Sequence, residues 1–230
     1  MSKVWDITFS KIVLDHELDA FVGAIADGSD IDPIKERARW VQIKRLWMMV
    51  WMLIQTGIRL QELIDLRVQD MPSALGLDFI EVYKGKGKKS RNIPVSAEFA
   101  AIIEYYIKYV RPHTVPKHIG KHKRIGRLFY NDKKKRVKPR TFQRQIERIG
   151  KQAAIIKPIS PHKFRHRFCT NALKKDGTNI YLVKEMMGHS SLAVTEKYLH
   201  LSVSVDGQVG EILNQMPQRV MASWTKNVVE

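Results

Sequence analysis

KRLWMMVWMLIQTGIRLQELIDL, residues 44–66, is the stretch on which the fold turns. From Leu46 to Ile54 it is apolar on every side, so as a helix it belongs in the middle of a core. It is too short for a membrane span, which takes roughly 20 apolar residues. Thr56 and Gly57 stop it. A shorter helix follows in RLQELIDL, 59–66, with Leu60, Leu63, Ile64 and Leu66 forming its apolar side. Upstream, the pattern predicts that the long helix starts near Ile34, after the turn-forming DGSDIDP at 27–33. Residues 1–32 form a short lead-in, in which HELDAFVGAI, 16–25, has helical spacing.

Downstream, FIEVY (79–83) and NIPV (92–95) read as two strands around the basic turn KGKGKKSR, 84–91. AEFAAIIEYYIKYV, 97–110, is an amphipathic helix. Residues 111–140 then hold twelve Lys or Arg against one acid, Asp132, and three prolines interrupt regular structure. LFY, 128–130, reads as a short strand. A helical pattern resumes with Thr141 as N-cap. Further helices are expected at 161–174, at 179–187 with Gly188 as the stop, and around 195–199. Val209, Ile212, Leu213 and Met216 recur at helical spacing in a tail, 204–230. The prediction is a mainly α fold with a small antiparallel β-sheet (α+β), whose principal domain covers 33–203.

The 230 residues hold 40 Lys or Arg against 23 Asp or Glu, a net charge of +17. That balance favours an anionic partner, nucleic acid first among them. A hydrophobic content of 44% is ordinary for a folded protein. With Cys169 as the only cysteine, an internal disulfide and a four-cysteine zinc site are excluded, which fits a reducing cytoplasm. The start, MSKVWDITFSK, has no apolar stretch followed by a cleavage site.

Three segments carry candidate chemistry. In SPHKFRHRFCT, 160–170, a helical advance of about 100° per residue puts His162, Arg165 and Cys169 on one face. Phe164 and Phe168 share another face, which is expected to bury. An arginine fork matches two phosphate oxygens, and an imidazole beside it moves a proton. A solvated basic helix face has the same pattern. A zinc site at His162 and His166 lacks the glutamate such helices carry, and three cations surround it. In MGHSSLAVTEKYLH, 187–200, Tyr198 follows His189 by nine residues. Tyr198 is either a packing residue or a nucleophile whose ionisation needs neighbouring cations. In TGIRLQEL, 56–63, Arg59 stands at a helix start, where anions are favoured, or simply pairs with Glu62.

In chain order these segments resemble the tyrosine recombinase (phage integrase) family. TGIRLQELIDL is similar to the family's TG-x-R-x-x-E-L-x-x-L box, which puts its first catalytic arginine at Arg59. VYKGKGKKSRNIPV resembles the β-turn whose catalytic lysine falls on Lys86. PHKFRH resembles the H-x-x-R-H box and implies His162 and Arg165. MGHSSLAVTEKYLH resembles the family's LGH and TxxYxH end, implying His189 and the nucleophile Tyr198, with Met187 in place of the more usual leucine. The likeness runs from about residue 10 to 200. Most members carry an N-terminal helical domain that clamps the other side of the DNA. Only the short lead-in stands there in this sequence, as in reduced members such as the fimbrial inversion recombinases, or in a fragment.

The resemblance implies a site-specific DNA recombinase that works through a 3′-phosphotyrosine. Arg59 and Arg165 hold the non-bridging oxygens, Lys86 protonates the departing 5′-hydroxyl, His162 assists proton transfer at the tyrosine, and His189 hydrogen-bonds the phosphate. No metal or other cofactor is required. The expected partner is double-stranded DNA. Lys84, Lys88, Lys89, Arg91, Lys133, Lys134, Lys135, Arg136 and Lys138 are expected on its backbone, and Arg140, Gln143 and Arg144 at base edges. A tetramer on DNA, with accessory DNA-bending proteins, is also expected. The tail helix either packs on a neighbouring protomer or folds back on its own domain. Rival readings are a type IB topoisomerase or telomere resolvase, a non-catalytic DNA-binding regulator on the same scaffold, and a general nucleic-acid binder.

Overall fold

The computed structural model describes residues 7–26, 31–32, 34–84, 88–120, 125–174 and 177–199, without the side chains at 9, 26, 84, 88 and 89. The tail helix expected at 204–230 lies outside the described residues, as does Lys86.

The centre of the molecule is α2, Arg37–Thr56. Trp47 through Ile54 are all at most 5% exposed, so the run that is apolar on every side is covered on every side except at its first residue, the half-buried Leu46. Burying one large apolar side chain contributes about 1.5–3 kcal/mol, and α2 buries Trp47, Met48, Met49, Val50, Trp51, Met52, Leu53 and Ile54 in succession. The helix starts three residues later than the pattern predicts, and Ile34 is 70% exposed. It ends at Gly57, whose φ of 58° is left-handed. A Cβ at Gly57 would stand 2.4 Å from Cδ1 of Phe168, so space as well as backbone demands glycine.

Around α2 lie α1 (Asp15–Ala26), α3 (Leu60–Asp65) and the one-turn α4 (Pro72–Leu75). Next come β1 (Phe79–Lys84) and β2 (Lys88–Pro94), then α5 (Ala97–Tyr105). The second half of the chain adds α6 (Pro139–Gln152), α7 (Pro161–Lys174), α8 (Ile180–Met187) and α9 (Leu192–Glu196). The described architecture is mainly helical with a two-stranded antiparallel sheet, as the sequence reading expects.

Several local expectations are corrected. The helix predicted at 97–110 is α only to Tyr105, and 106–110 form a π turn. LFY at 128–130 is not a strand: Arg127 and Tyr130 make isolated bridges to Arg67 and Arg136. α6 begins at Pro139 with Lys138 as its N-cap, not at Thr141, because proline's fixed φ suits a first turn. Val13, Leu18, Phe21, Val22 and Ile25 share the main core. Phe21 packs edge-on against Phe164 of α7 at 5.4 Å. Arg167 of α7 donates to the Val13 carbonyl at 2.8 Å and pairs with Asp15.

β1 and β2 pair Ile80 with Ile93 and Val82 with Arg91. Side chains alternate along a strand, so Arg91 shares the inward face of Ile93. It is 7% exposed.

Candidate active site

The C-terminal end of α8 is where the site is assembled. A helix leaves its last carbonyls without partners inside the helix. Here the left-handed Gly188 (φ 62°) turns the chain back. Its N–H donates to the Glu185 carbonyl at 2.9 Å, and the His189 N–H donates to that of Lys184 at 3.1 Å. The next three carbonyls each take an arginine. Arg91 Nε donates to Met186 at 2.8 Å, Arg165 Nη2 to Met187 at 2.6 Å, and Arg59 Nη2 to Gly188 at 2.9 Å. Cations are favoured at the negative end of a helix, and these come from β2, α7 and the N-cap of α3.

Each guanidinium is fixed again elsewhere. Arg165 Nη1 donates to the Gly57 carbonyl at 2.6 Å, so this one side chain ties the end of α2 to the end of α8. Glu62 takes Arg91 in a two-pronged pair, at 2.9 and 2.6 Å, and Arg59 Nη1 at 3.1 Å. It also accepts the Arg59 backbone N–H at 3.0 Å. Burial pushes the Glu62 carboxyl up, but the Arg91 hydrogen bond and charge, aided by Arg59, outweigh it and hold the carboxyl below its ordinary range. Burial, then the Arg59 charge, bring Arg165 down to about 10, so it stays a cation at neutral pH. An arriving anion would relieve the repulsion between the two arginines.

Tyr198 lies within this frame. It is 3% exposed and packs with Cys169, Val183 and Met187. Its phenol oxygen is 2.7 Å from His166 Nδ1. Its ring stacks on His189, with centroids 6.0 Å apart and an interplanar angle of 16°. His189 is held by Thr195 Oγ1 at 2.9 Å from its Nδ1. Burial is the main cause raising the Tyr198 pKa, and Arg165 and Arg59 oppose it, so the phenol carries its proton at neutral pH. Burial likewise brings His166 and His189 down to about 4 each, with the nearby cations adding to the effect, so both imidazoles are neutral.

Of the six residues expected to be catalytic, Arg59, Arg165, His189 and Tyr198 are brought together. His162 lies one turn before His166, with its ring 6.4 Å away, and is exposed. Lys86 falls outside the described residues. Three residues of the site were missed as such. Glu62 is the glutamate of the TG-x-R-x-x-E-L-x-x-L box and His166 closes the H-x-x-R-H box, but Glu62 was otherwise weighed as a partner for Arg59 and His166 as a zinc ligand, and neither was given a catalytic role. Thr195 is the threonine of the TxxYxH end and was given no role of its own. His166 was within reach of the helical arithmetic, which puts it about 40° from His162 on the face already singled out. Phe164 is fully buried as expected, whereas Phe168 is half-buried beneath Gly57.

The expected DNA contacts divide. Arg91 does not face outward: it is one of the three arginines on α8. Its place two residues before Ile93 was the signal for that. Lys133, Lys135, Arg136, Lys138, Arg140 and Arg144 are exposed, and Lys134 and Gln143 are half-buried. Arg136 makes a two-pronged pair with Asp65, 3.0 Å on each side. The backbone of Lys84, Lys88 and Lys89 is described, but their side chains are not.

Comparison with known proteins sets this site in context. Residues 23–204 match the Phage integrase family, an interval that spans Arg59 to Tyr198. The chain belongs to the Phage integrase family. Among its curated relatives is the tyrosine recombinase XerD of Oceanobacillus iheyensis, 34% identical over 154 residues, covering 67% of this chain and 49% of the relative. XerD of Staphylococcus saprophyticus is 31% identical over 171 residues, covering 74% and 54%. The chain thus spans about half the length of these relatives. Among solved structures, the XerA recombinase aligns with a TM-score of 0.63 at 25% identity, over 90% of this chain and 64% of that one. Among the described residues, no helix is long and apolar enough to cross a membrane.

Proposed function

We propose that this chain is the catalytic part of a site-specific DNA recombinase, in which Tyr198 attacks a DNA phosphate and forms a 3′-phosphotyrosine. The observation that carries the reading is the convergence at the end of α8. Two guanidinium groups from separate elements stand beside a buried phenol that is already hydrogen-bonded to an imidazole. Phosphoryl transfer asks mainly for placement and charge stabilisation. Arg59 and Arg165 hold the non-bridging oxygens. Both are clamped beforehand, so little reorganisation is needed as charge builds. His189, stacked on the phenol, donates to the phosphate. Lys86 supplies the proton for the departing 5′-oxygen, and His162 lies at the rim of the site. Cation chemistry of this kind requires no metal.

The partner is double-stranded DNA, bound by the exposed cations between Lys133 and Arg144, with Lys84, Lys88 and Lys89 expected on its backbone as well. Contacts to phosphates provide affinity that falls with salt. A tetramer on DNA, with accessory bending proteins, completes the expected assembly, which acts on DNA in the cytoplasm.

The test is covalent trapping on a nicked suicide DNA substrate. Wild type is expected to yield an adduct stable to denaturation, and Tyr198→Phe none. Equal adducts from both would remove Tyr198 from the nucleophile's role. Relaxation of supercoils without exchange between two sites would favour the topoisomerase reading.

A further inference from the structure

We propose that His166, rather than His162, takes the proton from Tyr198 when the phenol attacks phosphorus. This rests on the recombinase reading and deepens it. Two histidines, His166 and His189, meet the phenol, and a third, His162, lies beside His166. His189 is stacked on the ring, with Nδ1 committed to Thr195. His162 is exposed and a full turn away on α7. His166 has Nδ1 at 2.7 Å from the phenol oxygen, a separation at which a proton passes directly. Its ring centroid is 5.6 Å from that of Tyr198. The contact joins α7 to the turn after α9, residues thirty-two apart in the chain.

The surroundings suit an acceptor that acts only when substrate is present. The groups facing His166 are His162 and Arg165 on α7, Lys11 from the N-terminal segment, and the phenol itself. Burial and these cations keep the imidazole neutral and weakly basic, so the resting pair is a neutral phenol beside a neutral imidazole. A phosphodiester held by Arg59 and Arg165 brings a negative charge into the same space. That charge offsets the cations and favours the imidazolium as the proton transfers. Chemistry is thereby coupled to DNA binding.

The step balances. The Tyr198 oxygen forms a bond to phosphorus as the bond from phosphorus to the 5′-oxygen breaks. The phenol proton passes to His166, and the departing 5′-oxygen takes a proton from the Lys86 ammonium. In the second half an incoming 5′-hydroxyl attacks the phosphotyrosine and leaves its proton on Lys86. The tyrosine oxygen recovers its proton from His166.

Single-turnover trapping on the nicked substrate decides the matter, with cleavage normalised to bound DNA and with the melting temperature of each variant measured. His166→Ala and His166→Asn are expected to cleave about 100-fold or more slowly than wild type, and His162→Asn far faster than either. Imidazole added to the buffer should restore cleavage to His166→Ala in proportion to its neutral fraction, which repair of a damaged fold would not do. If His166→Asn has no melting transition, His166→Gln replaces it. Wild-type cleavage by the Asn or Gln variant would show that a hydrogen bond is enough and would overturn the proposal while leaving the recombinase reading intact. Absence of any adduct from wild type would overturn both together.

Discussion

The short helix α3 carries two carboxylates three residues apart, and each is bonded to two arginines, with opposite consequences. Glu62 lies between Arg59 and Arg91, with side chains 12% exposed for the acid and 5% for Arg91. Asp65 lies between Arg127 and Arg136, where all three side chains are 34–42% exposed. Glu62 works against low dielectric and orients a guanidinium of the proposed active centre. Asp65 clips Arg127 and Arg136 of the basic stretch 111–140, the connector between α5 and α6, onto the end of α3 in contact with water. The same division runs through the other arginines. Arg165 and Arg91 hold the α8 carbonyls beside the phenol. Arg111, 1% exposed, does similar work in the connector, donating to the carbonyls of Arg127 at 2.9 Å and Ile125 at 2.5 Å. Arginine in this protein is therefore as much an internal strut as a DNA contact, and burial distinguishes the two uses better than local charge density.

The sharpest way to break this comparison is Glu62→Gln. Removing one partner of a buried ion pair costs about 3–5 kcal/mol, so chemical denaturation should show a loss in that range. A loss no larger than a surface pair's would place Glu62 with Asp65. The effect has a pH signature. The Glu62 carboxyl lies below its ordinary value of 4.5 when folded, so its contribution is full above that value and is lost as pH falls through the folded one. The stability gap between wild type and Glu62→Gln should therefore narrow on acidification.

Arg165→Ala comes next. Loss of a clamped donor to the developing charge should slow single-turnover cleavage by about 10²–10³-fold, while DNA binding measured by fluorescence anisotropy is largely kept. Undiminished cleavage would reduce Arg165 to a tie between α2 and α8. The smallest effect is expected of Asp65→Asn. Exposed pairs contribute about 0.2–1 kcal/mol, and denaturation midpoints should move accordingly. A loss equal to that of Glu62→Gln would erase the distinction between the two ends of α3.

Much of this was legible in the residues. The stretch from Leu46 to Ile54 named its own burial, and Gly57 and Gly188 marked both helix ends because few other residues accept a left-handed φ. The pairing of Arg59 with Glu62 followed from helical spacing. The inward turn of Arg91 was legible in principle from strand alternation, but the basic turn beside it pointed outward. The hub on α8 was not legible, because its acceptors are main-chain carbonyls, which every residue has and no sequence pattern marks.

By itself, then, the chain of residue types determined which segments become helices and strands, which faces are apolar, and that cations and one tyrosine recur in the order of a known family. Those properties depend on neighbours a few positions apart. Only the tertiary structure decided which arginines turn inward, that His166 rather than His162 meets the phenol, and that three guanidinium groups share one helix end. These depend on distances between elements many residues apart, and such distances are set by how the whole core packs around α2.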